Sequence, residues 1–234
     1  AERLGLIPVA TTLVFAVYTF TLLAALLYLG PLSDHVGRRP VVAAGSLALA
    51  LSVAMFWFAG SLAALLVARA LQGLAAGLLI PALSAMMIDF ESPSHRNIAA
   101  LWNTIGPMIG LGAGALGAAL LLDLTSEPTT AVFGSLVLAF LIVATVVWST
   151  PELAPKTRIR RGDLRPRFTV PPHLRRMFTA GVPVIIAGWA TNGLFLALGA
   201  DLVGSELGGS THTQAGIVIF ALAISGVTAS SVLQ

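Results

Sequence analysis

The chain has 234 residues, of which 57% are hydrophobic and 10% are charged, with 13 Lys and Arg against 10 Asp and Glu. A soluble domain carries about 25% charged residues, so this composition excludes an ordinary soluble enzyme. The chain contains no Cys, which also excludes disulfides, Cys-ligated zinc and thiol chemistry.

Seven apolar segments are long enough to cross the hydrocarbon core of a bilayer as helices, which takes about 20 residues each. Their residues do not alternate between polar and apolar, as the strands of a membrane β-barrel do. The sequence therefore predicts an all-α, polytopic membrane protein. The predicted spans are Leu6–Leu29, Val41–Ala59, Leu62–Ile88, Ile98–Leu122, Ala131–Trp148, Met177–Gly199 and Gln214–Leu233.

The basic residues collect on one side of this predicted topology. The first, third and fifth connections hold two, one and eight Lys or Arg, and the second, fourth and sixth hold none. Because Lys and Arg are retained on the cytoplasmic side, the pattern predicts an N-terminus outside and a C-terminus in the cytoplasm. We expect an integral protein of the plasma membrane, which in bacteria is the inner membrane.

A short motif connects the first two predicted spans. It reads G-P-L-S-D-H-V-G-R-R-P over residues 30–40. Glycine suits a tight turn between antiparallel helices, and Asp34 and Arg38 are spaced to pair across one helical turn. The motif resembles the signature of the major facilitator superfamily, a family of membrane transporters. The residues that match are Gly30, Leu32, Asp34, Gly37, Arg38 and Arg39.

That resemblance implies a conformational latch in which Asp34 engages a helix terminus of the other half of a transporter. A second match is the R-x-x-Q-G pattern formed by Arg69, Gln72 and Gly73 in the third span. Gly77 stands four residues beyond Gly73, and small residues at this spacing let two membrane helices pack closely.

A third match concerns the glycines of the fourth span. Gly106, Gly110 and Gly114 resemble the glycine motif of the drug and proton antiporter branch, although Leu111 and Ala115 depart from it. This resemblance implies multidrug efflux, the proton-coupled export of small hydrophobic or drug-like compounds. Ordinary helix packing is the alternative explanation for the glycines.

Arg69 is the one ionisable residue deep inside a predicted span. An unpaired Arg costs roughly 3 kcal/mol in the bilayer, so we expect it to snorkel to the outer head groups or to face a central cavity. The family resemblance implies a role in proton coupling or substrate binding, with Gln72 on the same face. Asn103 and Asn192 are candidates to line that cavity, or to join helices.

In the resembling family this motif follows the second of twelve helices, whereas one predicted span precedes it here. The resemblance therefore implies helices two to eight: most of the N-terminal half in residues 1–149, a basic cytoplasmic linker in 150–176 and the start of the C-terminal half in 177–234. Expected partners are a small-molecule substrate, membrane lipid, a proton as coupling ion and the remaining helices, but no nucleic acid.

Other functions stay open from the sequence. An uptake symporter for a sugar or another metabolite shares the fold, a seven-helix receptor shares the helix count, and an inert fragment is a third alternative. No G-x-S-x-G or H-E-x-x-H motif is present, and the four His lie in separate connections. We therefore expect no enzyme activity, no cofactor and no metal site.

Overall fold

The structure is a computed structural model, and it describes residues 8–92, 98–153, 172–183, 186–188, 190 and 212–232. Throughout these residues the regular secondary structure is helical. The helices with described bounds are α1 (Pro8–Leu29), α2 (Leu32–Val36), α3 (Arg38–Trp57), α4 (Leu62–Asp89), α5 (Ile98–Leu124), α6 (Pro128–Ser149) and α7 (His212–Val232), with a 3₁₀ turn at Pro172–Leu174.

Among the described residues, five helices are long and apolar enough to cross a membrane: α1, α3, α4, α5 and α6. They match the first five predicted spans to within three residues at each end. Helix α7 covers the seventh predicted span and carries the shorter apolar stretch Gly216–Thr228. The sixth span is helical wherever it is described, at 177–183, 186–188 and 190, and its remainder lies outside the described residues. The predicted polytopic helical class is confirmed.

The break between α2 and α3 depends on one glycine. Gly37 adopts φ 111° and ψ 151°, a backbone conformation that residues with a Cβ rarely adopt. Its N–H donates to the carbonyl of Ser33 at 3.1 Å and ends α2. The second predicted span starts at Val41, whereas α3 begins three residues earlier, at Arg38. Proline is tolerated in the third position because the first-turn N–H groups have no partner within the helix.

Helices α1 and α4 approach each other at two glycines of α4. A Cβ added to Gly73 would lie 2.5 Å from the carbonyl oxygen of Tyr18, and one added to Gly77 would lie 2.8 Å from that of Leu22. Both distances are too short for a real side chain, so α1 packs directly on the α4 backbone. The packing role predicted for these two glycines matches this geometry.

Helix α3 packs on the same helix through small and apolar side chains. The fully buried Ser52 hydroxyl donates to the carbonyl of Ala68 at 2.8 Å. Val42 and Leu79 belong to a buried cluster at the other end of the pair, against which Val147 of α6 also packs. Helix α4 is thus the element that organises α1, α3 and the end of α6.

The chain divides into two compact units. One consists of Ala1–Asn103 with Thr129–Pro166, and the other of Thr104–Pro128 with Arg167–Gln234. The boundary cuts through α5, so the halves predicted from the sequence stay a prediction. Within the second unit, α5 and α7 meet at small residues, since a Cβ on Gly112 would lie 2.8 Å from that of Ala223.

Candidate functional site

The guanidinium group of Arg38 joins three side chains at one end of the helices. Its Nη1 donates to Oγ of Ser33 at 2.8 Å and forms an ion pair with Asp34, and its Nε donates to Oδ2 of Asp89 at 3.1 Å. The Arg38 side chain is only 15% exposed, whereas that of Asp34 is 56% exposed. The predicted pairing of Asp34 with Arg38 is confirmed, and it bridges the break at Gly37.

Glu152, three residues beyond the end of α6, caps the start of α3. Its Oε1 accepts the N–H of Arg38 at 3.2 Å and its Oε2 accepts the N–H of Arg39 at 3.0 Å. A carboxylate is stabilised at a helix N-terminus because the first N–H groups there carry partial positive charge. A Cβ on Gly37 would lie 2.5 Å from Oε2 of Glu152, so the carboxylate approaches because this residue is glycine.

The other predicted motif residues surround this cluster. The Arg39 guanidinium lies over the ring of Trp148, 4.6 Å from its centroid, as in a cation–π contact. Leu32 packs against the buried cluster of α3 and α4, and Gly30 lies against the carbonyl of Leu26, which a Cβ would approach to 2.5 Å. The structure thus brings all six predicted latch residues into one region.

Sequence reasoning missed Asp89 and Glu152, although both were detectable. Each is an acidic residue at the end of a predicted span on the side that otherwise collects Lys and Arg. An acid in a basic environment indicates an ion pair or a helix cap. The sequence does not show whether Asp89 or Glu152 forms an ion pair or a helix cap, and it does not show which residue is the partner.

Arg69, the eighth residue of α4, lies in an aromatic environment. Its guanidinium carbon is 5.2 Å from the ring centroid of Phe15 on α1 and 4.9 Å from that of Phe56 on α3. Its Nη1 donates to Oε1 of Gln72 at 2.9 Å, as their shared face predicted. Its Nε is buried and has no hydrogen-bond partner among the described residues.

The predicted cavity residue Asn103 bonds between helices, since its Oδ1 accepts the hydroxyl of Ser84 at 2.8 Å. Asn192 lies outside the described residues.

The three predicted packing glycines of α5 face open space among the described residues. Apart from the backbone of α5 itself and the adjoining residues, no described atom lies within 4 Å of a Cβ built on Gly106, Gly110 or Gly114. The buried glycine of this helix is Gly112, against Ala223 and Phe220. Within the described residues, α5 therefore makes its glycine contact at Gly112, and the packing role of Gly106, Gly110 and Gly114 stays a prediction.

The sequence model of the Major Facilitator Superfamily matches residues 1–234. The chain belongs to this superfamily. With five membrane-length helices in the part of the chain that the structure describes, this major facilitator chain is an integral membrane protein, and its family is one of transporters rather than enzymes.

Three curated relatives support the same placement. The chain is 31% identical over 194 residues to the multidrug efflux pump LfrA of Mycolicibacterium smegmatis, covering 78% of this chain and 34% of LfrA. It is 51% identical over 45 residues, 19% of this chain and 11% of the relative, to the multidrug resistance protein MdtM of Escherichia coli. It is 40% identical over 65 residues, 28% of this chain and 11% of the relative, to the multidrug transporter mfsB of Aspergillus fumigatus. The chain thus spans about a third of the length of LfrA.

Proposed function

We propose that the protein works in a secondary transporter that exports small hydrophobic or drug-like compounds in exchange for protons. Transport proceeds by alternating access, in which the halves that contain residues 1–149 and 177–234 rock about a central cavity. The names of three relatives, LfrA, MdtM and mfsB, describe multidrug efflux, resistance or transport. These similarities support export over uptake of a sugar or another metabolite.

The environment of Arg69 is the observation that carries the proposal. A guanidinium inside an apolar helix is expensive to insert, and here it is held by Gln72 and by two aromatic rings while Nε stays unpartnered among the described residues. Arginine does not deprotonate in proteins. Arg69 therefore acts as a fixed positive charge that stabilises a carboxylate or an electron-rich part of the substrate, and another group carries the proton.

The Arg38 cluster supplies the latch in this proposal. Arg38 is anchored by Asp89, while Asp34 stays largely exposed. Besides its ion pair with Arg38, the exposed carboxylate of Asp34 approaches the N-terminus of a helix from the other half in this proposal, because a carboxylate is favoured there. The basic connections support a cytoplasmic position for this cluster, and engagement of the latch would then close the cytoplasmic entrance. Both termini follow the same topology, with the first outside and the last in the cytoplasm.

Transport by the full-length protein in liposomes tests the proposal. Exchange against protons predicts that a lipophilic cation accumulates when the lumen is acidic, whereas symport predicts accumulation when the lumen is alkaline. Arg69→Ala should lower the rate and its dependence on the pH gradient, and Arg69→Lys should restore part of it. Arg176→Ala, which removes an exposed cation, is the matched control. If Arg69→Ala keeps both the rate and the gradient dependence, the assigned role is wrong.

A further inference from the structure

A cavity of about 650 Å³ opens beside the latch cluster. It lies between the last turn of α4, the first turn of α5 and the residue after α6, and Met86, Phe90, Trp102 and Thr150 contribute to its wall. Phe90 directly follows Asp89, and Thr150 stands two residues before Glu152. The cavity is therefore at the same end of the helices as the Arg38 cluster, far along α4 from Arg69.

The wall of this cavity is apolar and adaptable. Met86 and Met87 offer flexible, polarisable side chains that suit ligands of varied shape. Phe90 and Trp102 contribute aromatic surface that the described chain leaves 46% and 50% exposed. The volume is in the range of sites that hold one drug-sized molecule.

One carboxylate interrupts this apolar wall. Glu91 lines the cavity and is half-buried. Its Oε1 accepts the backbone N–H of Ala99 at 3.3 Å, and within the described part of the chain Glu91 forms no ion pair. A carboxylate beside aromatic rings and methionines favours a positively charged ligand, because the charge is compensated and the rings add cation–π attraction. A neutral ligand or a lipid chain would instead remove water from this carboxylate and leave its charge opposed only by the first turn of α5, through the N–H of Ala99.

We propose that this cavity binds a lipophilic monocation, with Glu91 against the charge and Trp102 and Phe90 against the apolar groups. The proposal rests on the proposed export function for its place in transport, in which the cavity collects the cation on the cytoplasmic side. Binding at this site does not itself require transport, so the two can fail separately.

Photolabelling of the full-length transporter tests the site. The probe is a photoreactive tetraarylphosphonium cation, and mass spectrometry of the labelled protein locates the adduct. Label is expected between Leu83 and Trp102, with competition by unlabelled tetraphenylphosphonium but not by the anion tetraphenylborate. Glu91→Gln should weaken this labelling about tenfold. Glu127→Gln, which neutralises an exposed acid, should leave it unchanged.

A cavity-filling variant, Met87→Trp, keeps Glu91 and should also abolish labelling of this segment. Circular dichroism and size-exclusion profiles of each variant separate loss of binding from loss of folding. Equal competition by the cation and the anion, or unchanged labelling in Glu91→Gln, would assign the cavity to lipid or to apolar solutes and overturn the proposal. Labelling as expected without proton-driven flux would leave the site standing and overturn the export function.

Discussion

Arg38 Nε lies 3.1 Å from Oδ2 of Asp89, and this contact closes an antiparallel helical hairpin at its open end. Helices α3 and α4 are connected by residues 58–61 at their other end. Arg38 is the first residue of α3 and Asp89 the last of α4, so the ion pair joins the two helices where no loop does. The same guanidinium pairs with Asp34. Arg38 therefore connects Asp34 of the latch to Asp89 at the end of α4.

Removal of this pair should loosen the hairpin. Asp89→Ala is expected to lower the free energy of unfolding by about 1–2 kcal/mol, because it leaves a charged group of Arg38 short of one partner. Thermal unfolding of the purified protein in detergent measures the change. Glu127→Ala, which removes an exposed acid at the other end of the helices, is the control, and equal effects of the two substitutions would contradict the assignment.

The contact between Gly37 and Glu152 should be non-additive in a double-mutant cycle. Gly37→Ala places a Cβ at φ 111° and against Oε2 of Glu152, and Glu152→Ala removes the cap of α3 at a cost of about 1 kcal/mol. In the double variant the steric conflict disappears and only the backbone strain and lost cap remain. The free energy of unfolding lost in the double variant is therefore expected to be smaller than the sum of the losses in the two single variants. Strict additivity would show that the two residues do not meet.

The glycines of α4 and α5 should respond in opposite ways to alanine. Gly77→Ala is expected to destabilise by about 1–3 kcal/mol, since its Cβ would meet the backbone of α1 at Leu22 and force the helices apart. Gly110→Ala meets open space and should be neutral or stabilising by up to about 1 kcal/mol. Denaturation of both variants in one detergent gives the comparison. A loss at Gly110 that equals the loss at Gly77 would mean that α5 packs on that face after all.

Asp123 is expected to protect the first turn of α7 from amide hydrogen exchange. Its Oδ2 accepts the N–H of Thr213 at 2.7 Å and the Thr213 hydroxyl at 2.6 Å, and thereby satisfies a first-turn donor of that helix. Asp123→Ala is expected to speed amide hydrogen exchange in the first turn of α7, with no change at the start of α3. Mass spectrometry of peptides from both regions measures it, and unchanged exchange near Thr213 would refute the cap.

Prediction of the site from the sequence succeeded where the information is local. Asp34 and Arg38 are four residues apart, and Arg69 and Gln72 three, so helical spacing alone predicts that each pair meets. Asp89 is 51 residues from Arg38, and Glu152 is 114 residues from it. No spacing rule reaches that far, and both partners emerged only from the packing of α3 against the ends of α4 and α6.

The glycines also show which contacts can be predicted from local spacing and which depend on tertiary packing. Gly73 and Gly77 could be predicted as a packing face because their spacing repeats on one side of α4. In α5 the repeating face Gly106, Gly110 and Gly114 is open among the described residues, and Gly112 makes the contact. The rotation of a helix about its axis is set by its neighbours, which the sequence of that helix does not contain.

The membrane class, the positions of the first five spans and the family follow from the sequence by itself, because hydropathy, charge placement and short motifs are properties of neighbouring residues. Tertiary structure alone decided that Arg38 ties α3 to Asp89, that Glu152 caps α3, and that Glu91 lines an apolar cavity. These depend on how close distant segments come, and that distance is set by side-chain volumes packed across helices rather than by any local pattern.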